Sequence, residues 1–174
     1  DYERYLESSS FLWHPKIRYR IRKLQLQFIA GKYTTCLALV NSLEPEVSGL
    51  KVFEFAEYQF YSALTRAACH ADLPEDGRPE NLRWITDSGR RLAEWARLCP
   101  SNFADRAKLV AAEIARLEGR PLDAQDRYEE AIRLAHQYGT VHNEGIANEN
   151  AARFYAHRGF EAIAGTYLRN ARSC

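Results

Sequence analysis

Two stretches decide the reading of this chain: AAEIARLEGRPLDAQDRYEEAI at 111–132 and AARFYAHRGFEAIAGTYLRNARSC at 151–174. Set at a shift of 40, Ala112 falls on Ala152, Gly119 on Gly159, Ala124 on Ala164 and Ala131 on Ala171. A fainter echo at a shift of 88 places Gly31, Cys36 and Leu43 on the Gly119, Ala124 and Ala131 positions. The spacing has a mechanical meaning. Two helices approach closely only where small side chains face each other, and a glycine between them lets the chain reverse. Large residues one turn away, such as Tyr128 and Leu168, then fill the groove against the next pair.

Working outward, the same helix-turn-helix rhythm runs through the rest of the chain. Ile17, Ile21, Leu24 and Phe28 form a helical seam between His14-Pro15 and Gly31. A second helix from Tyr33 to about Leu43 carries Cys36, Leu37 and Val40, and Glu44-Pro45 ends it. The third, rich in aromatics from Phe53 to Tyr61, continues to about Ala71. The breaker cluster Leu73–Pro79 predicts a loop. A fourth helix spans about Glu80 to Leu98, and Ser101-Asn102 reads as the cap of the fifth, which ends at Gly119. Pro121 to Gly139 bounds the sixth. Thr140 caps the seventh, which ends at Gly159, and the eighth holds Ile163, Ala164, Tyr167, Leu168 and Ala171. No stretch reads as a strand pair. The expected fold is all-α: a tetratricopeptide (TPR)-like α-solenoid of about four antiparallel helix pairs, 1/2, 3/4, 5/6 and 7/8, in one domain over residues 1–174. The rival is a globular helical bundle.

Composition bounds the function. The 174 residues are 46% hydrophobic and 12% aromatic, enough for an ordinary core. The 24 basic and 23 acidic side chains nearly balance, so no nucleic-acid or anionic-membrane partner is expected. No apolar run approaches the ~20 residues that span a bilayer. The chain starts at Asp1, lacks methionine and carries no visible signal peptide, and is read as a fragment of a longer cytoplasmic protein. Cys36, Cys69, Cys99 and Cys174 form no CxxC or zinc-ligand pair; reduced thiols, mostly buried, are expected.

Chemistry-bearing patterns are sparse. The five histidines make no HxxxH or HExxH, and there is no phosphate-binding glycine loop. Glu129 and Glu130 point about 100° apart on a helix and so make no catalytic dyad. No catalytic residue, metal ligand or cofactor site is therefore expected. Lys16, Arg20 and Lys23 fall on one helical stripe, a candidate basic patch whose alternative is ordinary solvation. The polar oddity is the seventh helix, where Asn143, Glu144, Asn148, Glu149 and Asn150 alternate with small residues. Asparagine is a poor helix former, so tertiary contacts must hold this helix. Packing and inter-helix hydrogen bonds are one reading. The other is a polar groove in which Asn143, Glu144, Asn148 and Asn150, with Tyr58 and Tyr61 of the aromatic helix, meet a partner or ligand.

The run Trp95–Phe103, the run Ala111–Arg120, Tyr128-Glu129-Glu130-Ala131-Ile132, and His142–Tyr155 followed by Arg158-Gly159-Phe160 together resemble one helical region of large multi-sensor signalling proteins. Those proteins join a serine/threonine-kinase-like domain, an AAA/STAND-type ATPase, helical repeats, a GAF sensor and a histidine kinase. The resemblance covers about residues 10–174 and is strongest from 92 onward. Gly145 and Asn150 stand where that pattern has an alanine and a leucine, making the helix more polar. The resemblance implies a non-catalytic module that couples the ATPase to sensor and output domains, with protein segments or neighbouring domains as partners. The alternative is a ligand-sensing solenoid that receives a small-molecule inducer. An enzyme ranks last, for want of a nucleophile–base or metal set.

Overall fold

The computed structural model describes residues 12–50 and 52–174, and among them there are eight α-helices and no strand. They are α1 (Trp13–Ile29), α2 (Tyr33–Leu43), α3 (Val52–Ala68), α4 (Arg78–Leu98), α5 (Pro100–Leu117), α6 (Pro121–Tyr138), α7 (Val141–His157) and α8 (Glu161–Ser173). The fold is an all-α, solenoid-like stack. Each helix packs on the next. In addition, α1 packs on α3, α3 on α5, and α5 on α7, with no comparable contact among the even helices. The odd helices therefore form an inner layer and the even helices an outer one, as hairpin pairing 1/2, 3/4, 5/6 and 7/8 requires. Burial follows the layering: α5 and α7 bury side chains on most of their circumference, whereas α6 buries only Ala124, Tyr128, Ala131 and Ala135.

The repeat positions do what their size dictates. Ala112, Ala124, Ala131, Ala152 and Ala164 are all buried where helices meet. Gly119 (φ +71°) and Gly159 (φ +81°) take the left-handed conformation that favours glycine, and a Cβ at either would touch nothing within 4 Å. Backbone dihedral, not crowding, selects glycine there. Behind each, the second residue's N–H closes a six-residue turn: Arg120 to the Ala115 carbonyl and Phe160 to the Tyr155 carbonyl, both 2.9 Å. The α1–α2 and α6–α7 turns repeat this bond at Gln27 and Ala135, again at 2.9 Å. Gly145 is different. A Cβ there would lie 3.3 Å from the Cys174 Cβ, so its small size lets α8 close on α7.

Some boundaries differ from expectation. The third helix ends at Ala68, and His70–Asp72 forms a short 3-10 turn. The 73–79 breaker cluster is shorter as a loop: Glu75–Gly77 is a 3-10 turn, and Arg78 with Pro79 already starts α4. Proline lacks a donor that the first turn would leave idle anyway. The same logic moves the start of α5 to Pro100, so Ser101 and Asn102 lie inside its first turn and cap nothing. The cysteines are all free; Cys36 and Cys69 are buried, Cys99 is half-buried and Cys174 is exposed. Burial pushes the Cys36 thiol up to about 11. Among the described residues no helix is long and apolar enough to cross a membrane.

Candidate functional site

Because the odd helices run side by side, their C-terminal ends gather at one end of the inner layer. There they border a half-open cavity of about 590 Å³. Ala68 and Ala71 come from the end of α3 and beyond, Glu113 and Arg116 from α5, Pro121 from α6, and Asn150, Arg153, Phe154, His157 and Arg158 from α7 and its end. Tyr33, at the start of α2, closes the far side. Its hydroxyl accepts a hydrogen bond from the Arg153 guanidinium, which also lies 5.0 Å over the Tyr33 ring. This contact spans 120 residues of sequence and joins the first hairpin to the last.

The cavity's charge is uneven. Three arginines and one glutamate line it, in a chain whose net charge is only +1. Glu113 is already neutralised. Its Oε2 accepts from Arg116 Nε (2.9 Å) and Nη2 (2.6 Å), and its Oε1 accepts from the Tyr128 hydroxyl (2.6 Å). Burial first, then the Glu113 carboxylate, holds the Tyr128 phenol well above its ordinary pKa. Arg116 also donates to the Ala67 carbonyl at 3.1 Å, tying α5 to α3. Arg153 lies 3.2 Å from Glu149, but its enclosed Nε has no acceptor. Arg158 lies over Phe154 (5.2 Å) and Phe160 (5.3 Å). These cations also suit helix C-termini, where carbonyl dipoles leave partial negative charge.

The asparagines singled out by the sequence have separate tasks. Asn150 lines the cavity, with its Nδ2 bonded to the Ile146 carbonyl at 3.0 Å. Asn148 bonds the Glu144 carbonyl at 2.9 Å, one turn back along its own helix. Asn143 donates to buried Asp105 Oδ2 at 2.7 Å and so locks α7 to α5. Thr140 joins the same carboxylate at 2.8 Å; its hydroxyl reaches across to α5 instead of capping its own helix. Glu144 lies 3.3 Å from His136.

Tyr58 and Tyr61 do not border this cavity. Both are 1% exposed, in the aromatic core. Tyr58 donates weakly to the Val40 carbonyl at 3.4 Å, and burial pushes its phenol up to about 12. Tyr61 packs 5.9 Å from Phe28 and 5.1 Å from Phe60, ring centre to ring centre. The helix is buried around most of its girth, which moves these rings from a groove to the core. The stripe Lys16, Arg20 and Lys23 lies on α1, away from the cavity. Arg20 is spent internally, on Glu46 (2.5 Å) and Ser42 (2.6 Å), which fastens α1 to the end of α2 and the segment after it.

At the opposite end of the inner layer, Glu57 is buried between Arg106 (2.6 Å) and Arg22 (3.1 Å), a structural ion-pair chain across α1, α3 and α5. Among the described residues, no three of His, Cys, Asp and Glu are grouped to hold a metal ion. Sequence reading passed over Tyr33, Arg116, Arg153 and Arg158. No sequence signal marked them, because basic residues stand in the last turns of the outer helices too, at Arg97, His136 and Arg172. The chain matches no protein-family model, no curated protein and no solved structure.

Proposed function

We propose that this chain is a non-catalytic helical-repeat interaction module that receives a protein segment in its inner cavity. The observation that carries the reading is the cavity's construction. Five helices from all four hairpins contribute to it, so whatever fills it senses the curvature of the whole stack. Repeat proteins use such inner surfaces for extended partners. The sequence resemblance to multi-sensor signalling proteins supports a coupling role, in which the module links an ATPase to sensor and output domains in the cytoplasm. The segment would then come from a neighbouring domain or a partner protein.

A second reading rests on the cavity's size. At about 590 Å³ the cavity falls within the ~300–1,000 Å³ range of small-molecule sites, so an inducer-binding solenoid is the alternative. One experiment separates the two. The immobilised chain is used to select from a displayed library of random twelve-residue peptides, and in parallel its thermal midpoint is screened against metabolites. The module reading expects peptides that compete with one another for one site. No selected peptide, with a metabolite that raises the midpoint by several degrees, would replace it with the sensor reading.

A further inference from the structure

Accepting that a chain segment fills the cavity, we infer that this segment is acidic, with carboxylates held by Arg153 and Arg158 and an apolar side chain laid against Phe154. Three observations converge. Of the three lining arginines, Arg116 is paired with Glu113 and Arg153 with Glu149, whereas Arg158 makes no ion pair among the described residues, so the field left for an occupant is positive. Arg153 is held in place by Tyr33 and by Glu149, which lies 3.2 Å from it, and its enclosed Nε still has no acceptor. A guanidinium with a fixed plane and an unspent donor suits a carboxylate oxygen. Ala68, Ala71, Pro121 and the Phe154 ring add apolar surface to the lining, and Arg158 lies 5.2 Å over the Phe154 ring. Carboxylate and apolar side chains on a short extended segment match that mixed lining. The site opens to solvent along residues from five helices, which suits a chain passing through more than a compact small acid.

The test uses two fluorescein-labelled decapeptides, one of alternating glutamate and leucine and one of alternating lysine and leucine. Their binding to the full chain is followed by fluorescence anisotropy. The acidic peptide should bind at least tenfold tighter, and its affinity should fall as salt rises from 50 to 500 mM. Arg158→Glu should weaken it at least fivefold. Arg158 is exposed, so this variant keeps the fold, as circular dichroism would verify. Arg133→Glu, on the outer layer, should leave binding unchanged. Equal affinity for the two peptides, or indifference to Arg158→Glu, overturns the inference. So does citrate binding as tightly as the acidic peptide, which would assign the arginines to a small acid. If library peptides are captured but the acidic decapeptide is not, the acidic character fails while the module reading stands. If no peptide of any kind binds, both fail.

Discussion

Replacing Tyr128 by phenylalanine removes one oxygen from the centre of the α5–α6 hairpin. The ring remains, fully buried and 5.3 Å from Phe154, so no cavity opens. What is lost is a 2.6 Å hydrogen bond to Glu113 Oε1. Arg116 grips the other carboxylate oxygen, so Oε1 is left without a partner in a side chain that is 5% exposed. A buried hydrogen bond to a charged group contributes ~1.5–3 kcal/mol, and that is the expected loss. For a domain of this size the thermal midpoint should fall by about 3–12 °C. Urea unfolding followed by circular dichroism measures it, with an unchanged m value showing that the folded state is intact. The pH dependence supplies an independent sign. The phenol's pKa is raised in the folded state, so its contribution is complete below the unfolded value near ~10 and lost as pH rises beyond it. Wild-type stability should therefore decline more steeply above pH ~10 than that of Tyr128→Phe. A stability change under ~0.5 kcal/mol, with identical alkaline slopes, would refute the assigned network.

Three further outcomes follow from the same geometry. Gly119→Ala and Gly159→Ala should each cost ~1–2 kcal/mol through the left-handed backbone, whereas Gly77→Ala, at φ −82° in open space, should be neutral or stabilising in urea titrations. Thr140→Val should cost ~1 kcal/mol by orphaning part of buried Asp105, while Ser101→Ala should change stability by under ~0.5 kcal/mol, because Ser101 caps no helix. With a thiol reagent at pH 8, Cys174 should react first and Cys99 more slowly, and Cys36 and Cys69 only after unfolding; rapid modification of Cys36 in the folded chain would contradict its burial.

The helices were legible because their punctuation is local. Gly31, Gly119, Gly139 and Gly159 each sit at positive φ behind a helix, and prolines stand in first turns, so periodicity and breakers locate nearly every element. The misplaced caps had a physical cause. Ser101 and Thr140 have capping side chains, but Pro100 started one helix earlier and Asp105 drew the other hydroxyl across to α5. The cavity was hard to see because its parts lie far apart in sequence. Tyr33 and Arg153 meet only once four hairpins have curved round, and no local pattern encodes that curvature. The asparagine-rich helix did attract notice, yet two of its three asparagines serve the fold. Tyr58 and Tyr61 illustrate a general ambiguity: an aromatic helix reads alike whether its rings line a groove or fill a core.

The central claim is that the inner face at the C-terminal ends of the odd helices is where a protein segment docks. Backbone amide shifts of the isotope-labelled chain, titrated with a peptide selected on it, test this most directly. The account predicts that the largest changes fall at Tyr33, Ala71, Arg116, Asn150, Arg153 and Phe154. Changes confined to the outer helices α4 and α6 would contradict it.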